Sequence, residues 1–145
     1  MNDQVLDEFA RAIDDRVLAL PPGCDPARLF GVRLRGDNDF VLLPFWSGVA
    51  REIPQRLMPP EACVAIVLDG GGWTAPLNDD GSADVRASLH PRRRRVHQTC
   101  VLTGDAGTDV TVLRQENDPP QVLRGGVGVV LDLLRACWSN RREVA

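Results

Sequence analysis

Residues 63–72 read Cys-Val-Ala-Ile-Val-Leu-Asp-Gly-Gly-Gly. Cys63 to Leu68 is a continuous apolar run rich in β-branched side chains, closed by an acid and three glycines. A run this short, bounded by turn formers, reads as a buried strand at the centre of a sheet. Everything on either side must then supply strands to pair with it and helices to cover it.

Downstream, the chain from about 70 to 92 is rich in Asn, Asp, Gly, Ser and Pro. Loops this long are uncommon inside compact domains and tend to be either functional or disordered, so this one is expected to be a mobile or a working loop. Val96–Thr103 and Val110–Arg114 follow as strands, joined by the hairpin signal Gly104-Asp105-Ala106-Gly107-Thr108-Asp109. Asn117 to Pro120 is a further turn. A helix is expected over Val127–Trp138, with Val130, Leu133, Leu134, Cys137 and Trp138 as its apolar stripe. Arg135, Arg141 and Arg142 suit its negative C-terminal end.

Upstream, Val5, Leu6, Phe9, Ile13, Val17 and Leu20 recur at helical spacing and predict a helix over Asp3–Ala19, stopped by Pro21-Pro22-Gly23. Leu29, Phe30 and Val32 lead through the turn Gly36-Asp37-Asn38-Asp39 into the apolar segment Phe40–Phe45, a hairpin pattern. A short helix is expected over Val49–Leu57, with Pro54 in its first turn or kinking it.

The expected fold is therefore a single α+β domain over residues 1–145. It has one antiparallel sheet of about five strands in the order α-β-β-(α)-β-β-β-α, with the terminal helices packed together on one face. This element order is similar to that of roadblock-like and profilin-like modules, an analogy of topology alone.

The chain has 145 residues, 43% hydrophobic and 26% charged, which suffices for a core without disulfides or metals. Met1 to Asp7 lacks the basic start and apolar stretch of a secretory signal, and Val127–Trp138 is too short to span a bilayer, so a cytosolic protein away from membranes is expected. Cys24, Cys63, Cys100 and Cys137 form no CxxC pair; the last three sit among apolar neighbours and read as reduced, buried thiols. All 17 basic residues are arginine, and tyrosine is absent, which fits the codon bias of a GC-rich, bacterial-type genome. Without lysine there is no Walker-type phosphate loop and no Schiff base, and without tyrosine no tyrosine acid or nucleophile.

Four arginines, Arg92, Arg93, Arg94 and Arg95, stand together between His90 and His97 in a chain of net charge −3. Guanidinium groups pair bidentately with phosphates and carboxylates. As the run enters a strand, Arg93, Arg95, His97 and Thr99 should share one, solvated, face, with Val96, Cys100 and Leu102 pointing inward on the other. Trp73, just after the glycines, offers the large ring typical of binding hot spots. A zinc site from His90, His97, Cys100 and Cys63 is disfavoured, because His97 and Cys100 point to opposite faces and the spacing fits no zinc pattern. Gly126-x-Gly128 with Leu131 in the third position departs from the dinucleotide fingerprint, so no cofactor is expected.

The candidate binding residues are thus Trp73, His90, Arg92, Arg93, Arg94, Arg95 and His97, with no catalytic, cofactor or metal residue. The leading expectation is a non-enzymatic protein-interaction or regulatory module with a protein partner, self-association through a sheet edge being included. One alternative is nucleic-acid or phosphate-ligand binding through Arg92–Arg95, against which stand the acidic chain and its few aromatics. Another is a small enzyme with a pocket near Trp73, His90 and His97.

Overall fold

In the computed structural model, which describes residues 2–115 and 117–141, a six-stranded antiparallel sheet in the order β2-β1-β3-β4-β5-β6 separates two helices. The elements are α1 (Asp3–Leu18), β1 (Ala27–Leu34), β2 (Phe40–Gly48), β3 (Ala65–Thr74), β4 (Arg94–Thr103), β5 (Thr108–Gln115), β6 (Gln121–Arg124) and α2 (Val129–Ser139). Asn2 caps α1, its Oδ1 accepting from the Val5 N–H at 2.9 Å. Gly36, at φ +72°, turns the β1–β2 hairpin, where the Arg35 N–H donates to the Asp39 carbonyl at 2.8 Å. From β3 onward the strands form a meander. β2 and β3 both flank β1 antiparallel to it, and residues 49–64 cross from one to the other.

Alternation along the central strands assigns every side chain to one of two cores. Phe30, Val32, Ala65, Val67, Val101, Val110 and Val112 face α1 and meet Leu6, Ala10, Ile13 and Val17. Leu29, Ile66, Leu68 and Leu102 face the other way and meet Ile53 of the crossover with Leu131, Leu134, Cys137 and Trp138 of α2. The helices therefore lie on opposite faces, correcting the expectation that they share one. The physical reason is in residues 65–68, Ala-Ile-Val-Leu, all buried: a strand apolar on both sides needs cover on both. Trp138 anchors α2 by donating its Nε1–H to the Gly104 carbonyl at 2.8 Å. Asp109, buried, holds the entry of α2 by accepting from the Gly126 N–H at 2.9 Å and pairing with Arg135 at 3.0 Å.

Three further expectations are corrected. Val49–Leu57 holds only a 3-10 turn at Ala50–Glu52; Ile53 then drops into the α2-side core, and Pro54 follows with no helix to join. β3 does not end at Asp69 but runs through the three glycines to Thr74, so the loop is 75–93, with one 3-10 turn at Ala87–Leu89. The expected sheet of about five strands agrees with the six observed, the short β6 being the additional one. α2 begins at Val129, leaving Val127 outside it and 93% exposed. Cys137 is buried, Cys63 and Cys100 are half-buried, and Cys24 is exposed; all are free thiols. Arg142 lies outside the described residues. Among the described residues no helix is long and apolar enough to cross a membrane.

The sheet edges are unequal. β6 is four residues long. β2 carries Pro44 and an irregularity opposite Leu29 and Phe30, both features that hinder pairing along an edge.

Candidate functional site

At one end of the sheet β3 and β4 continue as a pair beyond β1, and Trp73, Arg93, Arg95 and His97 gather on this arm. The register pairs Asp69 with Thr99, Gly71 with His97 and Trp73 with Arg95, so these six side-chain positions share the α1 face.

Near the end of α1 that face is polar and covered. Asp14, fully buried beneath the helix, accepts from the Thr99 hydroxyl at 2.7 Å and from Arg114 Nε at 2.7 Å. Arg114 also reaches Asp15 at 3.3 Å. Asp69, buried in turn, receives Arg28 through Nε at 2.8 Å and Nη2 at 2.7 Å, and its other oxygen is bonded to His97 Nε2. Arg28 itself is fixed by the Pro21 carbonyl at 2.8 Å. Burial pushes the Asp69 carboxyl up, but the hydrogen bonds from His97 and Arg28 and the Arg28 charge outweigh it and hold the group below its ordinary value. His97 thus sits between two acids. Its Nδ1 is buried, lacks a hydrogen-bond partner and lies 3.9 Å from Asp14 Oδ1. Nε2 is thus engaged by Asp69, and Nδ1 is shielded from solvent.

Beyond the end of α1 the face opens into a cleft of about 640 Å³, lined by Gly71, Gly72, Trp73, Arg95, His97 and Arg114 among others. Trp73 is 40% exposed, with the guanidinium carbons of Arg93 and Arg95 at 5.0 Å and 5.4 Å from its ring centroid. Such cation–π contacts hold arginine without neutralising it. Arg94 points the other way and pairs with Asp118 at 2.9 Å. Among the described residues, Arg92, Arg93 and Arg95 have no acidic partner.

The structure therefore brings together Trp73, Arg93, Arg95 and His97, and separates Arg94 from them. The expected solvated face is corrected in part: at Thr99 it is wholly covered by α1, at His97 it is partly open, and at Gly71, Trp73 and Arg95 it meets solvent. His90 is elsewhere. Its Nδ1 accepts from the Arg92 N–H at 2.9 Å, and it lines a separate cavity of about 290 Å³ with Leu77, Asn78 and Asp84. The two histidines do not share a pocket. Among the described residues no three His, Cys, Asp or Glu side chains come together as a metal site would require. Burial raises the Cys63 and Cys100 thiols above their ordinary value.

Asp14, Asp69, Arg28 and Arg114 are absent from the sequence-derived candidates. Asp14 did carry a signal: it lies four residues after Ala10 and three before Val17, on the apolar stripe of α1. A search against family models, curated proteins and solved structures finds no match to this chain.

Proposed function

We propose that this domain is a non-enzymatic recognition module and that its binding surface is the β3–β4 arm with the cleft at its foot. The ligand class is an acidic segment of a partner protein. One observation carries the reading: an exposed tryptophan bracketed by two arginines that have no acidic partner among the described residues. Exposed aromatic and arginine side chains in one cluster are the composition of interface hot spots. The four free cysteines suit a reducing compartment, so the module is taken to work in the cytosol.

Two features weigh against the alternatives. A general base needs a free nitrogen within reach of substrate, whereas Nε2 of His97 is engaged by Asp69 and Nδ1 is buried. A nucleic-acid surface needs broad positive charge and free aromatic faces; this chain has net charge −3, and guanidiniums already stack on Trp73.

The test is fluorescence anisotropy with labelled hexaglutamate, single-stranded RNA and duplex DNA, at low and near-physiological salt. Hexaglutamate should bind in the micromolar range, weaken with salt, and lose binding in Arg93→Ala/Arg95→Ala. Absence of hexaglutamate binding at low salt, or tighter binding of either nucleic acid, would overturn the reading.

A further inference from the structure

β3 outruns its neighbour on one side only. β1 pairs with it as far as Ala27–Gly70, whereas β3 continues through Gly71, Gly72, Trp73 and Thr74, matched on its other side by His97, Val96, Arg95 and Arg94. A strand in an antiparallel ladder turns half of its N–H and C=O groups toward each neighbour. On the β1 side, residues 71–74 therefore present backbone groups to no strand. Among the described residues they make no backbone hydrogen bond outside the β4 ladder. The residue preceding β1 is Pro26, which has no N–H to offer. Cavities of about 640 Å³ on the α1 face and about 360 Å³ on the α2 face both reach Gly71, so at that residue the strand is open on both faces. The 3-10 turn at Ala87–Leu89 also packs against β3.

The glycines have no other explanation in the fold. A Cβ on Gly71 would meet nothing nearer than the Val96 carbonyl at 3.8 Å, and one on Gly72 nothing nearer than Val96 Cγ2 at 3.8 Å. Neither residue has a positive φ. Glycine inside a strand weakens it, and here neither packing nor backbone conformation requires it. What Gly71 and Gly72 supply is bare backbone, which a second chain can approach closely.

The two faces beside this edge differ in chemistry. On the α1 face stand Trp73, Arg93 and Arg95. On the α2 face the smaller cavity is walled mostly by apolar residues, among them Ala27, Val49, Ala50, Leu68 and Val130, with Arg51 and Gln98 also lining it. Side chains of an added strand alternate between the faces. We propose that the edge of β3 at Gly71–Thr74 accepts an extended segment of a partner protein as an added strand, continuing the line of β1. Acidic residues at alternate positions reach Arg93 and Arg95, and apolar residues between them enter the α2-side cavity. This assignment rests on the recognition reading above and names the form of the partner: strand addition, in which main-chain bonds give affinity and alternate pockets give specificity.

The probes are four capped peptides: alternating Glu-Val-Glu-Val-Glu-Val, the block Glu-Glu-Glu-Val-Val-Val, and two forms of the alternating peptide N-methylated at every second residue, one in each register. Binding is read by anisotropy, and protection by amide hydrogen exchange at residues 71–74. The alternating peptide should bind and slow exchange at the outward-facing amides of that segment. The block peptide should bind at least about tenfold more weakly. One N-methyl register should lose at least about tenfold and the other little, because only one points its methyl groups at β3. Equal binding of the block peptide, indifference to both N-methyl registers, or binding without amide protection would overturn strand addition while leaving acidic recognition standing. If no acidic peptide binds, hexaglutamate included, both fall together.

Discussion

Asp14 is the buried acid on which α1, β4 and β5 converge, and its removal has a calculable cost. In Asp14→Ala, Arg114 loses its 2.7 Å partner and the fully buried Thr99 hydroxyl loses its acceptor. Breaking a buried ion pair from one side typically costs about 3–5 kcal/mol. Arg114 is one-third exposed and keeps Asp15 at 3.3 Å, so solvent and the second acid reduce its share to about 2 kcal/mol. The orphaned hydroxyl adds about 1–2 kcal/mol. The expected loss is about 3–4 kcal/mol, or a Tm lower by about 10 °C for a chain of this size. Asp14→Asn keeps an acceptor for Thr99 and should lose about half as much. Replacing the cluster by apolar groups, in Asp14→Leu/Thr99→Val/Arg114→Met, should regain most of the loss, because no buried polar group is then left unpaired. Urea unfolding followed by far-UV circular dichroism measures all three. A cost below about 1 kcal/mol for Asp14→Ala, or a triple variant no better than the single, would refute the view that this network holds α1 to the sheet.

Gly31→Ala should destabilise by about 1–3 kcal/mol, since its Cβ would lie 2.6 Å from Cys63 Sγ and 3.0 Å from Pro60 Cδ, whereas Gly72→Ala should be neutral or stabilising in the same denaturation assay. Leu134→Ala empties a fully buried position between α2 and the sheet and should cost about 2–5 kcal/mol by urea unfolding. Asp69 titrates below its ordinary value when folded, so it contributes stability above the unfolded carboxylate range, and that part is lost as pH falls through the folded value. Asp69→Asn should therefore be less stable than wild type near neutrality, with the gap narrowing in acid; a gap that does not change with pH would contradict this. With a thiol-reactive disulfide reagent, exposed Cys24 should react fast in the native protein, while Cys137, buried and with its thiol pushed up to about 11, should react only on unfolding.

Patterns of apolar spacing made most of the fold legible. The stripe of α1, the β1–β2 hairpin and the continuous apolar run Cys63–Leu68 are each strong signals and each marks an observed element, with α1 ending at Leu18 and β3 beginning at Ala65. β6 was not legible, because Gln121–Arg124 offers only Val122 and Leu123 and gains its strand form from pairing with β5. The extension of β3 through Gly70–Thr74 was hidden for the same reason: glycine signals a bend locally, and only the β4 ladder holds it straight. At the site, Trp73 and the arginine run stood out by composition, and alternation correctly put Arg95, His97 and Thr99 on one face. The acids that organise that face could not be paired from spacing. Asp14 and Arg114 are separated by 100 positions, and Asp69 and His97 by 28, so their meeting is a product of register and topology.

The placement of the two helices on opposite sides of the sheet also bears on synthesis. α1 precedes every strand, and α2 follows them all. A chain growing from its N-terminus can close the α1 side as the strands emerge, but Leu29, Ile66, Leu68 and Leu102 have no lid until Leu131–Trp138 leave the ribosome. For that interval the nascent domain is a half-finished sandwich with one greasy side in water, which is the form that chaperones capture and that stalled or truncated chains would carry permanently.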